Sequence, residues 1–293
     1  MTFVNNLITR REALGTMGLL ALAGRTAWAT SDSTTTPSLK PLKGIAMQLY
    51  TMREPAKKDL AGTLKKVREI GFTHVQWSGM PDMPAEAIRD ALKTADLIPV
   101  SAHVSVEKFE KDFDEQVSFW KTVGVPHIAT GTMMNDCKNS LAAWKKGAAR
   151  LDKLGAKLRD EGIRFAYHNH NFEFAKFPGD DRSKLDILLE STKPENVAAE
   201  FDVAWVHRGG ADPAKYLLKY KNRTPVIHVK DTTGSKKVQK FTPLGQGDLK
   251  WQEVFAAAHE AGVEWYVYEQ DSGEGSPFEY AQKSFEFLTK TLR

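Results

Sequence analysis

From Gly44 onward the chain alternates short apolar runs with longer stretches in which apolar residues recur every three to four positions. A short run reads as a strand, and the three-to-four spacing reads as a helix with one buried face. The runs cover residues 44–50, 74–77, 98–103, 127–130, 163–170, 197–203, 226–230 and 265–269. Between and after them the spacing predicts helices over residues 59–70, from about Pro84, over 108–123, 140–161 and 184–190, from Asp212-Pro213, and over 251–261 and 277–288. The punctuation agrees. Gly71, Gly162 and Gly262 sit where helices stop, and Asp212 followed by Pro213 is a cap with proline in the first turn.

Eight strand-like runs, each followed by a helix, predict an α/β fold closed into a (β/α)8 TIM barrel, a single domain over residues 44–293. An open doubly wound sheet is the competitor. It calls for a glycine-rich phosphate turn after the first strand, and Tyr50 to Pro55 contains no glycine.

The segment before Gly44 has a different character. Arg10-Arg11, a nearly uncharged stretch from Ala13 to Gly24, and Ala27-Trp28-Ala29 form the pattern of a twin-arginine signal peptide over residues 1–29. A disordered arm with a chance apolar patch is the plainer alternative. The apolar run is too short and too rich in Ala and Gly for stable insertion in a membrane. Residues 30–43, rich in Ser, Thr and Pro, read as a linker. A periplasmic or secreted location is the expectation.

Charge narrows the partners. The formal net charge of +4 includes Arg10, Arg11 and Arg25, so the remaining chain is close to neutral and offers no electrostatic footprint for nucleic acid. The single cysteine, Cys137, cannot form an internal disulfide and reads as a packed thiol. Association into a homo-oligomer stays open.

In a barrel of this kind the active site lies at the C-terminal ends of the strands. Those ends carry Gln48 and Tyr50, Gln76 and Trp77, His103, Thr130, His168 and His170, Asp202, His228 and Lys230, and Glu269 and Gln270. Each alone has an ordinary structural role. Together, several imidazoles and carboxylates converging at one mouth point to a divalent cation, because unpaired buried charges are costly while such ligands satisfy one another around an ion. A nitrogen and oxygen donor set without thiolate suits Mn, Co, Fe or Zn, and a carboxylate-rich version also accepts Mg. His74, His127, His207 and His259 lie at strand starts, in a loop or on a helix, and are expected to be structural.

The stretches YHNHNFEF, AEFDVAWVHRGG, VIHVKD, PLGQGDLKW and YVYEQD resemble the xylose isomerase-like TIM barrel superfamily, within its sugar phosphate isomerase/epimerase group. The similarity spans the chain after the signal, and the order of the motifs is what makes it specific. The resemblance implies one divalent metal held by Glu, Asp, His and Glu from four strands. Asp202, His228 and Glu269 match the last three. The first glutamate falls on His168, with Glu173 slightly later as the other candidate; His168 is favoured as the ligand.

That departure removes the symmetrical pair of carboxylates that epimerases of the superfamily use. The implied activity is isomerisation or epimerisation of a ketosugar by proton abstraction next to a carbonyl, or alternatively a lyase (dehydratase) reaction, β-elimination from a 3-keto-sugar or 3-keto-glycoside. Glu269 or Glu173 would accept the proton, with His103, His168 or His170 handling hydroxyl protons and Lys230 neutralising charge. Gln48, Tyr50, Trp77 and Trp205 would bind the sugar. Export favours an unphosphorylated substrate. An endonuclease-like phosphodiesterase would need a basic groove, and a non-catalytic sugar-binding protein would have no use for Asp202, His228 and Glu269 together.

Overall fold

The computed structural model describes residues 42–234 and 240–292. Its strands and helices follow in order: β1 (Gly44–Gln48), α1 (Arg53–Lys58), α2 (Leu60–Ile70), β2 (His74–Trp77), α3 (Ala85–Thr94), β3 (Ile98–His103), α4 (Val106–Lys111), α5 (Phe113–Val123), β4 (His127–Thr130) and α6 (Leu141–Asp160). They continue with β5 (Arg164–His168), α7 (Lys184–Glu190), β6 (Ala198–Asp202), α8 (Val203–Arg208), α9 (Pro213–Lys219), β7 (Val226–Val229), β8 (Asp231–Thr233), β9 (Lys240–Thr242), α10 (Trp251–Ala261), β10 (Trp265–Tyr268) and α11 (Pro277–Thr291). Strands β1 to β7 and β10 close into a parallel barrel in the order β1-β10-β7-β6-β5-β4-β3-β2. The eight sequence runs are its eight staves.

Alternation along each strand decides what faces the barrel axis. The hydrogen-bonded register sets Ala46 opposite Val267, Val267 opposite His228, and His228 opposite Asp202. Apolar residues fill the lower interior: Ala46, Val100, Val226 and Val267 form one cluster, and Ala129, Ala166 and Ala198 another. Two residues further along the same faces the character changes. Ala198 gives way to Glu200 and Asp202, Val226 to His228, Val267 to Glu269 and Ala166 to His168. The opposite faces of the strands pack Val75, Phe165, Tyr167, Phe201, Ile227 and Tyr268 against the helices in the main core.

Close approach is built in where α6 meets the segment before β6. A side chain at Gly155 would collide with the Asn196 carbonyl, so only glycine fits there. Buried His127 is held neutral by burial, which lowers it to about 4, in keeping with a structural role. Cys137 is a buried free thiol.

The proposed signal over residues 1–29 lies outside the described residues, as does the linker up to residue 41. The last two linker residues are part of the barrel. Leu42 packs against the core, and Lys43 donates its backbone N–H to the Glu264 carbonyl at 2.7 Å. No helix among the described residues is long and apolar enough to cross a membrane.

Three local differences from the sequence expectation have physical causes. The helix expected over 108–123 is broken at Asp112, which closes α4 through its backbone N–H and caps α5 by accepting from Glu115 N at 3.0 Å. The polar loop after β7 is an antiparallel hairpin, β8 with β9, rooted by buried Asp231. One oxygen of Asp231 accepts from Gly245 N, Gly247 N and Trp251 Nε1. Finally, α8 begins directly off β6, because the Asp202 carboxylate caps it by accepting from Trp205 N at 2.9 Å.

Candidate metal centre

The C-terminal mouth of the barrel gathers the side chains that the strand ends offer. His168, Asp202, His228 and Glu269 each present one ligand atom within 4.8 Å of the others, and all four residues are buried. His168 ends β5, Asp202 ends β6, His228 is the third residue of β7, and Glu269 follows β10 directly. Two buried atoms of these residues are closed to solvent and meet only a charged neighbour: Asp202 Oδ2 faces the Lys230 ammonium at 2.9 Å, and His168 Nδ1 lies 3.3 Å from Glu200 Oε1 without a well-formed hydrogen bond. A buried polar atom left so poorly bonded is costly and has room for a partner. Two nitrogen and two oxygen donors fit a divalent ion of the Mn, Co, Fe or Zn kind.

An ammonium group borders the same place. Buried Lys230 sets its Nζ 2.9 Å from Asp202 Oδ2, 2.8 Å from Glu269 Oε2 and 3.0 Å from Asp271 Oδ1. Burial works against the lysine's charge, but the three carboxylates outweigh it and push its pKa up. Burial would likewise raise Glu269, yet Lys230 and His228 hold it well below the ordinary carboxylate range. Asp271 is raised to about 6, by burial first and then by Glu269 and Asp202, against the pull of Lys230.

His228 uses both ring nitrogens. Its Nδ1 lies 2.9 Å from Glu269 Oε2, and its Nε2 lies 2.6 Å from Gln76 Oε1 and 3.0 Å from Glu200 Oε1. Burial opposes protonation of this ring, but Glu200 and Glu269 on its two sides raise it to about 10. His168 goes the other way. Burial, reinforced by the charge of His228, lowers it well below the ordinary imidazole value.

Glu200 is the residue that reading only the strand ends missed. It lies two positions before Asp202, so the period of two puts it on the same inward face. Its carboxylate is buried and meets His103 Nε2 at 2.6 Å and Gln76 Nε2 at 3.0 Å. Burial would raise it, but His103 and His228 hold it well below the ordinary value.

The other expected site residues divide into three kinds. His103 and His170 lie beside the cluster: the His103 ring is stacked on His228 with centroids 5.4 Å apart, and His170 meets His168 edge-on at 5.1 Å. Trp205 and Tyr50 lie at the rim, Trp205 beside His170 and Phe241, and half-exposed Tyr50 under the Arg53 guanidinium. Gln48 is in the interior but committed to the scaffold, donating to Gln76 Oε1 at 2.7 Å and accepting from Tyr50 N.

Trp77 follows inward-facing Gln76, so alternation packs it into the hydrophobic core, where it also lines a cavity with His103. One expectation needs correction. Glu173 belongs to no metal-ligand group among the described residues. Its two oxygens accept from Tyr167 OH at 2.8 Å and His170 N at 2.9 Å, and burial raises its pKa to about 7. Tyr167 precedes His168 and faces outward, so Glu173 braces the loop after β5 from behind.

A closed (β/α)8 barrel with buried imidazoles and carboxylates at its C-terminal mouth defines the class. The chain belongs to the xylose isomerase-like TIM barrel family, whose sequence model matches residues 64–291. It is 26% identical over 167 residues to an inosose dehydratase of Lacticaseibacillus casei, a match covering 51% of this chain and 55% of that one, so the chain spans about half the length of that relative. With an inosose dehydratase of Clostridium perfringens it is 26% identical over 242 residues, 69% of this chain and 80% of that one. The fold matches a sugar phosphate isomerase/epimerase from Parabacteroides distasonis with a TM-score of 0.74 and 20% identity, over 86% of this chain and 97% of that one.

Proposed function

We propose that this chain is a divalent-metal-dependent enzyme that removes a proton next to the carbonyl of a ketosugar or sugar derivative and thereby isomerises or epimerises it. The observation that carries the reading is the convergence of His168, Asp202, His228 and Glu269 at the mouth of the barrel. A divalent ion bound on those residues supplies electrostatic stabilisation of the negative charge that develops on a substrate oxygen. Mn, Co, Zn, Fe and Mg are the candidate ions.

Glu269 is the proton acceptor in this reading. Lys230 and His228 keep it ionised, which supplies the deprotonated form an acceptor needs while lowering its basicity. Lys230 carries a fixed positive charge within 3 Å of the same carboxylate and offsets negative charge at the mouth. Trp205 and His170 form a wall on which a sugar ring can rest.

A second reading, β-elimination from a 3-keto-sugar or 3-keto-glycoside, is favoured by a specific arrangement. The acidic groups of the mouth, Asp202, Glu269 and Asp271, all cluster on Lys230, and the place of the usual first glutamate is taken by His168. One face of a substrate then meets carboxylates and the other an imidazole, which suits removal of a proton without its return to the opposite face. Similarity to inosose dehydratases supports the same branch. The twin-arginine pattern supports an exported protein acting on unphosphorylated sugars.

Deuterium incorporation tests both. Metal-loaded protein is incubated in deuterated water with ketosugars and 3-keto-glycosides, and products are read by mass spectrometry. Label on a carbon next to the carbonyl is expected, and release of water or an aglycone selects the lyase branch. Unlabelled, uncleaved sugars throughout would rule the function out.

A further inference from the structure

Four nitrogens crowd one oxygen in the interior of the barrel. Glu200 Oε1 has His103 Nε2 at 2.6 Å, His228 Nε2 at 3.0 Å, Gln76 Nε2 at 3.2 Å and His168 Nδ1 at 3.3 Å. A carboxylate oxygen has two lone-pair sites, so it cannot hydrogen-bond all four nitrogens at once. His168 Nδ1 is in fact left without a hydrogen bond and closed to solvent. An organic ligand cannot reach such an atom, whereas a bare ion can lie between it and its neighbours. Around a tetrahedral ion with bonds of about 2.1 Å, ligand atoms stand roughly 3.4 Å apart, against 2.6, 3.0 and 3.3 Å from Glu200 Oε1 to the nitrogens of His103, His228 and His168.

We propose a second cation position, one side-chain layer deeper on β6 than Asp202, in which His103 Nε2, His168 Nδ1, Glu200 Oε1 and His228 Nε2 hold a borderline first-row ion such as Zn2+ or Co2+. Each of these four residues offers one ligand atom within 4.8 Å of those of the others. The position rests on the metal-centre reading above only in sharing His168 and His228, so a single ion occupies one place or the other.

Two features favour the deeper place. Lys230 stands against Asp202 and Glu269, where an entering divalent cation must displace it or tolerate its charge. No lysine or arginine among the described residues pairs with His103, His168, Glu200 or His228. The second feature is orientation. A metal-ligating histidine commonly donates its other ring N–H to a carboxylate, and His228 Nδ1 already faces Glu269 Oε2 at 2.9 Å. Loading the site expels the proton from His228 Nε2 and turns away the Gln76 carbonyl now 2.6 Å from it. With the ion there, Glu269 keeps Lys230 as its partner and stays free to accept a proton.

Cobalt reports the difference. The metal-stripped protein is titrated with Co2+, and the intense visible absorption of four-coordinate Co2+ is recorded for the parent, Asp202→Asn, His103→Gln and Glu200→Gln, with circular dichroism as the check on folding. The absorption is expected in the parent and in Asp202→Asn with nearly unchanged affinity. In His103→Gln and Glu200→Gln it is expected to weaken by at least about 100-fold in affinity. His103 is the part-exposed member of the set, so its variant keeps the fold even if Glu200→Gln does not. Absorption that survives His103→Gln and vanishes in Asp202→Asn would overturn the deeper position while leaving the metal-dependent function standing. No absorption in the parent would overturn it as well, and deuterium labelling of a ketosugar would then still decide the function separately.

Discussion

Lys230 Nζ lies 2.9 Å from Asp202 Oδ2, and both side chains are buried. The ammonium therefore stands in for a cation among Asp202, Glu269 and Asp271. Removing one member of a buried charge cluster costs about 3–5 kcal/mol, because the remaining charges are left uncompensated. Lys230→Met is expected to lose stability of that order when melted in chelator, and to regain much of it on addition of Mn2+, which can neutralise the same carboxylates. Equal melting of the variant and the parent in chelator would show that the lysine does not hold the acidic groups together.

Asp202 is expected to matter for turnover more than for folding. Asp202→Asn keeps the size and the cap on α8, since an amide oxygen can still accept from Trp205 N. It removes one negative charge from the group that shares Lys230 with the proton acceptor Glu269. Deuterium incorporation by the metal-loaded variant is expected to fall at least about 100-fold, with melting changed far less. Retention of full exchange activity would take Asp202 out of the machinery.

Much of this architecture was legible before any coordinates, and the reasons are local. Each barrel strand is a compact apolar run, and the boundaries of β2, β3, β4 and α10 coincide with those read from the pattern. The break at Asp112 was not legible, because neither Gly nor Pro marks it and the aspartate acts as terminator and cap together. The hairpin β8–β9 was hidden because its root is a buried carboxylate gathering N–H groups from a loop some fifteen residues on. In the site, looking at strand ends found Asp202 and His228 but passed over Glu200, which shares their face one alternation earlier. Trp77, of opposite parity to Gln76, packs outward and reaches only the cavity beside His103. Parity along the strand, more than nearness to its end, was the signal to follow.

Packing between α6 and the segment before β6 gives a test independent of chemistry. Gly155→Ala adds a methyl group inside the van der Waals shell of the Asn196 carbonyl, which belongs to the backbone and cannot rotate away. Alanine gains up to about 1 kcal/mol over glycine in a helix interior, but overpacking typically costs about 1–3 kcal/mol. The contact involves backbone, so the overpacking should win. A lower melting temperature with unchanged Co2+ binding is the expected result, and a stabilised variant would mean that the two segments are free to separate.

Glu173 gives the fold a dependence on pH that its position explains. Burial raises its pKa from an ordinary 4.5 to about 7, even though Tyr167 OH and His170 N both donate to it. A group whose pKa is raised in the folded state binds more protons folded than unfolded between the two values. Its contribution is fully present below 4.5 and is lost as the pH rises to about 7, by up to roughly 3 kcal/mol. Glu173→Gln keeps an oxygen to accept from His170 N and presents an amide to the Tyr167 hydroxyl, so it resembles the protonated form and cannot ionise. The difference in unfolding free energy between parent and variant, measured by urea titration, should therefore shift in favour of the variant between pH 4.5 and 7 and level off above. A constant difference across that range would mean that the carboxyl titrates as it does in water, and that the brace behind His168 is open to solvent.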